Sequence, residues 1–352
     1  MVHPDRVREL EAALERLPRV SLAVTPTPLQ YCPRLTEALQ GPEIWIKRDD
    51  LTGMALSGNK SRMLEYVLGE ATAAGVDTVV AGAAVQSNYT RQLAAACARL
   101  GIACHLVLGA RGPQDRRLQG NLLLDSLLGA EVQFSSDTGW EAIRSAICAK
   151  AAELTRMGRK VRTYRVAGES TLGLHACGYV QAAIELIGQA AAQGLAFDEI
   201  WVCSADTTHA GLALAFKHME VPARLVGVPA LTEPVEPGRS FESCIARIAN
   251  DCAERLGVRT RIDPHEITSL PGYGGPGYGI MSDAAREAIQ ILARREAILA
   301  DPVYTGKALA ALVDHVRRGL IARDRKICFI HTGGIPALFA YAESLAIGPA
   351  HC

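Results

Sequence analysis

The chain has no net charge: 37 basic and 37 acidic side chains balance over 352 residues. That argues against the broad electropositive surface that nucleic acid or an anionic membrane would require, so neither is an expected partner. Apolar residues make up 49% of the chain, yet no run is unbroken for the roughly 18 residues a membrane-spanning helix needs. The ten cysteines (Cys32, Cys97, Cys104, Cys148, Cys177, Cys203, Cys244, Cys252, Cys328 and Cys352) include no CxxC pair. Zinc and dithiol redox centres therefore lack their usual spacing, and no metal site is expected. A chain of this length needs no disulfide scaffold, so the cysteines are expected as buried free thiols in a reducing cytoplasm. Repeats, low-complexity tracts and flexible linkers are missing too. Residues 1–20, with Arg6, Arg8, Glu9, Glu11, Glu15 and Arg16, read as an amphipathic helix and not as a signal peptide.

What is present is an alternation. The size suits roughly two domains with large cores. After the extended Thr25-Pro26-Thr27-Pro28-Leu29, a strand is expected at Glu43 to Asp50. Thr78 to Gly82, Ala103 to Leu108, Glu131 to Phe134 and Lys160 to Val166 read as buried strands separated by amphipathic helices. A second winding follows the crossing Gly168 to Gly173, with strands at Glu199 to Cys203, Arg224 to Val228 and Lys326 to Ile330. Thr268 to Gly279 reads as a glycine- and proline-rich loop. Short apolar runs alternating with helices predict an α/β protein with two open, mostly parallel sheets and helices on both faces. Ligands of such folds sit at strand C-terminal ends, here in a cleft between the two halves.

Four loops fall at those ends. Ser57-Gly58-Asn59-Lys60 places an amine at a helix start, where free N–H groups and the helix dipole favour its neutral, nucleophilic form; an ordinary solvated lysine satisfies the same residues. Gln86-Ser87-Asn88-Tyr89 could hold a carboxylate or a phenolate oxygen, or simply cap a helix. Ser204-Ala205-Asp206-Thr207-Thr208-His209 offers hydroxyls and free N–H groups to a phosphate. It is neither a Walker loop nor a GxGxxG turn, and N-capping by Asp206 or Thr207 is the alternative. His331-Thr332-Gly333-Gly334 is the fourth, and Gly272 to Gly279 and Tyr304-Thr305-Gly306-Lys307 bring tyrosines beside glycines, for a ligand or for the core. A reactive amine, a phosphate cradle and ring-oxygen partners together suggest pyridoxal phosphate.

These motifs, in this order and joined by Asp301-Pro302-Val303 and Thr208-His209-Ala210-Gly211, strongly resemble the 1-aminocyclopropane-1-carboxylate deaminase/D-cysteine desulfhydrase family. Its members are fold-type II, tryptophan-synthase-β-like pyridoxal 5'-phosphate enzymes, and the match runs from Thr25 to Gly334. The resemblance implies a large cofactor domain of residues 1–55 and 167–352, a small domain of residues 56–166, and a homodimer. It makes Lys60 the Schiff-base lysine, with Asn59 beside it, Asn88 the partner of the cofactor's ring oxygen, and Ser87 the contact of the substrate carboxylate. Ser204, Ala205, Asp206, Thr207 and Thr208 would hold the phosphate, and Tyr278 and Tyr304 would be acid/base candidates at the reacting carbon.

Substrate choice follows from two positions. The ring-opening branch carries glutamate and leucine where this chain has Thr305 and Thr332. A carboxylate beside the pyridine nitrogen makes a stronger electron sink, whereas a hydroxyl suffices to expel a good β-leaving group. The implied activity is β-elimination from D-cysteine or a related β-substituted alanine, giving pyruvate, ammonia and sulfide. Ring opening, β-replacement and a carrier without turnover are the alternatives. Three residues depart from the family pattern: Asp206 in the phosphate turn, Tyr89 where relatives carry Gln or His, and Glu169 in place of a glycine. Tyr89, Thr305 and Thr332 are where selectivity is expected.

Overall fold

A computed structural model of the chain describes residues 3–110, 113–135, 137–164, 171–234, 236 and 238–345. The crossing around Glu169, the end of the expected strand at 165–166 and Cys352 lie outside these residues.

The amphipathic N-terminal stretch is helix α1 (Pro4–Glu15), which buries Leu10, Ala13 and Leu14. The next segment is more regular than the prolines suggested. Leu29–Tyr31 (β1) pairs antiparallel with Glu43–Lys47 (β2), and Pro33–Leu39 (α2) bridges them, with Pro33 in the first turn where a missing N–H costs nothing. Then come α3 (Lys60–Ala73), β3 (Thr78–Ala84), α4 (Asn88–Leu100), β4 (Ala103–Gly109), α5 (Gly120–Leu127), β5 (Glu131–Phe134), α6 (Trp140–Arg156) and β6 (Val161–Tyr164). The second winding is α7 (Leu172–Ala192), β7 (Glu199–Cys203), α8 (Thr207–Met219), β8 (Arg224–Val228), α9 (Phe241–Leu256), β9 (Thr268–Ser269), α10 (Asp283–Glu296), α11 (Thr305–Arg317), β10 (Lys326–Ile330), α12 (Pro336–Ala340) and α13 (Ala342–Leu345).

One sheet has six strands in the order β1-β2-β10-β7-β8-β9, parallel except for β1; the other has four parallel strands, β5-β4-β3-β6. The start of the expected loop 268–279 is thus an edge strand, β9, against β8. Helices cover both faces. On the large sheet, α2, α10 and α11 pack around Trp201, Phe329 and Ile289, while α7, α8 and α9 share the opposite core with α1, α3 and α4. On the small sheet, Ile143 and Ile147 of α6 pack on Val80 and Val107. Side chains of this size each contribute about 1.5–3 kcal/mol when buried. Helix α3 contacts both α4 and α7, so the element that begins with Lys60 lies at the seam between the sheets.

A buried ionic cluster fixes that seam. The Arg62 guanidinium donates to Asp49 and Glu185, Lys47 pairs with Glu185, and Tyr179 and Thr27 donate to Asp49. Burial alone would push the Asp49 carboxyl up, but Arg62, Lys47 and the Thr27 hydrogen bond together outweigh it and hold it below the usual range; Arg62 and Lys47 do the same for Glu185.

Candidate active site

A cavity of about 410 Å³ opens where the C-terminal ends of β3, β7, β8 and β10 face one another. The size suits a cofactor and a small substrate. From the small-sheet side it is lined by Ser87, Asn88, Tyr89 and Trp140; from the large-sheet side by Ser204–Asp206, Thr208, Tyr278, Tyr304 and Thr332. Asn59 and Lys60 reach it from the seam, and Lys60 is the lysine in its wall. Of the residues singled out in the sequence, Thr207 and Thr305 are not in that wall. Both are fully buried behind it: the Thr207 hydroxyl faces Met63 Sδ and Asp206, and the Thr305 hydroxyl donates to Asp301 Oδ1 at 2.6 Å.

Lys60 is the first residue of α3, as its position after Ser-Gly-Asn implied. The approach to it is strained: Ala55, Leu56 and Ser57 all have positive φ (43°, 60° and 64°), rare for residues with a Cβ and seen where a fold over-determines a functional loop. The clamps are identifiable. Arg91 of α4, fully buried, donates to the carbonyls of Ala55 and Ser57, and Thr52 Oγ1 bonds both N and O of Gly58 at 2.8 Å. Gly58 has φ +126° and lies against Gly333, where an added Cβ would fall 2.7 Å from Gly58 Cα; only glycines permit this approach. Asn59 N donates to Thr332 O, which ties the lysine loop to the fourth loop. His331 orients that loop: its Nε2 donates to Leu299 O at 2.7 Å, leaving Nδ1 to accept Gly333 N–H.

At the start of α4, Ser87 Oγ accepts the N–H groups of Tyr89 and Thr90, so its own hydrogen is available to the cavity. Tyr89 bonds His175 Nε2 at 3.1 Å; His175 Nδ1 lies 2.8 Å from Thr171 O and must donate to it, so the tyrosine is the donor to Nε2.

The turn into α8 is capped differently from either sequence alternative. Ser204 Oγ accepts the N–H groups of Asp206 and His209, both at 3.2 Å, while Asp206 makes no side-chain cap and lines the cavity. Thr207 and Thr208 are the first two residues of α8, so their N–H groups have no acceptor within the helix. Thr208 Oγ1 accepts from Asn59 Nδ2 at 3.1 Å and keeps its hydrogen for a ligand. This is an anion cradle with one carboxylate beside it.

The tyrosines meet: the Tyr278 and Tyr304 hydroxyls are 2.5 Å apart, with their rings edge to face. Each is held by a buried charged group whose role the sequence did not reveal. Asp301 accepts N–H from Val303, Tyr304 and Thr305 and the Thr305 hydroxyl, capping α11 from four residues upstream. Lys307 Nζ donates to the carbonyls of Gly274 and Gly277, at 2.5 and 2.9 Å, and so fixes the loop that carries Tyr278. Thr138, Trp140, Leu231, Glu233 and Pro234 also line the cavity without having been singled out; no motif marks them, because they come from the entry into α6 and the loop after β8, which are adjacent only in space.

An amine, a carboxamide, a hydroxyl at a helix start and a helix-terminal anion cradle around one cavity fit pyridoxal phosphate. Comparison with known proteins agrees. Residues 20–333 match the family model described as "Pyridoxal-phosphate dependent enzyme". The chain is 38% identical to a D-cysteine desulfhydrase of Salmonella choleraesuis (strain SC-B67) over 333 residues, covering 93% of this chain and 97% of that one. It is 37% identical, with the same coverage, to a D-cysteine desulfhydrase of Salmonella typhi. A crystal structure described as an ACC deaminase homologue superposes with a TM-score of 0.85 at 34% identity, over 97% of this chain and 98% of the other. The processed form of threonine deaminase isoform 2 from Solanum lycopersicum shares the fold, with a TM-score of 0.67 at 16% identity over 97% of this chain and 88% of that one. The chain belongs to the pyridoxal-phosphate dependent enzymes, in the family of 1-aminocyclopropane-1-carboxylate deaminase and D-cysteine desulfhydrase.

Proposed function

We propose that the protein is a carbon–sulfur lyase that eliminates sulfide from D-cysteine, or a close β-substituted alanine, to give pyruvate and ammonia. The observation that carries this is Lys60 in the wall of one cavity with Ser87, Asn88, Tyr278 and Tyr304, in a chain 38% identical to a D-cysteine desulfhydrase over nearly its whole length.

The bound cofactor supplies an electron sink for the pair left when the substrate's α-proton departs. The protein supplies the rest. The start of α8, with Ser204, Ala205, Thr207 and Thr208, receives the phosphate, and Asn59 holds Thr208 in place for it. Lys60 anchors the cofactor and, once exchanged for the substrate amine, is a base for the α-proton. Ser87 O–H and the N–H of Asn88, the first residue of α4, hold the substrate carboxylate, with no arginine among the described residues of the wall. The Tyr278–Tyr304 pair shares one short hydrogen bond, which lets either hydroxyl give a proton to the departing sulfur. Thr332 faces the cavity, and Thr305, one layer behind, passes its hydrogen to the Asp301 carboxylate. Neither position carries a carboxylate, which favours elimination over ring opening.

Three further assignments belong to this reading. The homodimer is supported by exposed apolar side chains in one region: Leu123 and Leu127 of α5, Leu118 just before it, and Phe339 of the α12 packed against α5. A cytoplasmic site is supported by the free cysteines, nine among the described residues, and no helix among these residues is long and apolar enough to cross a membrane. The split into residues 1–55 with 167–352, and 56–166, is supported by the two separate sheets, with α3 at the seam between them.

The test is to incubate holoenzyme separately with D-cysteine, L-cysteine, β-chloro-D-alanine, D-serine and 1-aminocyclopropane-1-carboxylate. Pyruvate and sulfide from D-cysteine are expected. Pyruvate from none of the alanines, or 2-oxobutyrate from the cyclopropane substrate as the main product, would overturn the assignment.

A further inference from the structure

Asn88 can present either of two chemically opposite atoms to the cavity, an amide donor or a carbonyl acceptor, and a buried chain of hydrogen bonds decides which. The chain starts at Arg91, whose Nε can only donate; it donates to Asn121 Oδ1 at 3.1 Å. That makes the other end of the Asn121 side chain the NH₂ group, and a second partner agrees: it lies 2.9 Å from Gln86 O, a backbone carbonyl that can only accept. The same NH₂ group lies 3.0 Å from the Asn88 side chain, so the atom it meets there must be the acceptor, Oδ1. Asn88 Oδ1 is thereby committed to α5, and what Asn88 offers the cavity is Nδ2–H. Asn121 is itself immobilised: it is fully buried, and its backbone N–H donates to Gln86 Oε1 at 2.8 Å, while Gln86 Nε2 donates onward to Gln119 O.

We infer that Asn121 is a positioning residue that sets the polarity of Asn88, so that the cofactor's ring oxygen meets a hydrogen-bond donor and is held as the anion. The inference rests on Asn88 being the partner of that oxygen, as proposed above. Rotating Asn88 by half a turn exchanges donor for acceptor at an almost unchanged shape, so packing alone cannot choose between the two; the Arg91–Asn121 relay does.

Two substitutions separate this role from simple packing. Asn121→Asp keeps the shape and the acceptor for Arg91 but removes the donor; Asn88 then turns its NH₂ group to the new carboxylate and shows Oδ1 to the ring oxygen. Asn121→Ala leaves a small hole and lets Asn88 choose. Apoprotein is titrated with pyridoxal phosphate, and the absorption band of the bound cofactor is followed against pH; melting curves check folding. Polarity control predicts that the aspartate variant is the worse of the two. It should bind the cofactor about tenfold more weakly and titrate at least one pH unit higher, while the alanine variant, whose Asn88 is released to turn either way, loses affinity about two- to fivefold and titrates slightly higher. A packing role predicts the reverse order, and an alanine variant as impaired as the aspartate one would also overturn the inference. If the aspartate variant does not fold, an unchanged affinity and titration midpoint in Asn121→Ala overturn it. Asn88→Ala separates the two levels: if it changes neither readout, the ring-oxygen assignment itself has failed, whereas a change there with none in Asn121→Asp refutes the relay alone.

Discussion

Replacing Asp125 with asparagine should stabilise the protein, and more so as the pH rises. Asp125 sits on α5, fully buried beneath the first turn of α4, and burial pushes its carboxyl up to about 8, even though the nearby Arg91 guanidinium pulls it down. Little compensates that burial: the Thr90 hydroxyl, which also donates to Ser87 O at 3.1 Å, offers Asp125 Oδ2 only a long bond of 3.4 Å. The other oxygen, Oδ1, has no partner. Because the folded-state value lies above the ordinary 3.8, the unfolded chain ionises first, and stability is lost as the pH rises from about 4 to about 8 and then levels off. At about 1.4 kcal/mol per pH unit, the loss reaches on the order of 4 kcal/mol by pH 7. Asparagine never ionises, and its NH₂ group can make the bond to Thr90. Urea unfolding of both proteins at pH 5, 6, 7 and 8 should give midpoints that diverge steadily in favour of Asp125→Asn. A constant gap across that range, or a less stable variant at pH 8, would refute the reasoning.

Arg62→Met should have the opposite signature, leaving the buried Asp49 and Glu185 carboxylates short of a cation at a cost of about 3–5 kcal/mol, read as a fall in unfolding midpoint at pH 7. The wild-type contribution of these two acids is present above their ordinary carboxylate range and disappears as the pH falls below it, so the difference should narrow in acid. Asp206→Asn removes a carboxylate from the anion cradle; charges about 4 Å apart cost on the order of 1 to 4 kcal/mol, so equilibrium titration of the apoprotein should show pyridoxal phosphate bound at least several-fold more tightly. Lys307→Met strips the bonds from Gly274 O and Gly277 O that fix the Tyr278 loop; kcat should fall tenfold or more with a lesser change in KM, measured by pyruvate release.

Most of the architecture could be read from the sequence because β–α alternation has a period that survives in composition. Every strand expected after Glu43 has its counterpart, and the four loops that were marked do converge on one cavity. What escaped was short or non-local. β1 and β9 have three and two residues, too few to show a pattern, and owe their existence to β2 and β8 alongside them. Ser204 was passed over as the cap of α8 because it lies two residues before the N-cap position, Asp206, and reaches into the helix only at His209. Asn121 carries no motif, and Asp301, though it opens the Asp301 to Lys307 motif, was given no role: their meaning lies in partners such as Arg91, 30 residues from Asn121, or in the turn that Asp301 shapes. Thr305 looked like a direct ligand, whereas its hydroxyl is spoken for by Asp301.

The central claim is that Lys60, and no other amine, carries the cofactor. Two other lysines are buried and have lowered proton affinity for the same first reason, burial: Lys47, in the ionic cluster, and Lys307, on its carbonyls. Neither lines the cavity. Borohydride reduction of the holoprotein followed by peptide mass mapping tests this directly. The expected result is a single pyridoxyl-phosphate adduct on Lys60, missing from Lys60→Ala. An adduct on Lys47 or Lys307, or one that persists in Lys60→Ala, would contradict the assignment.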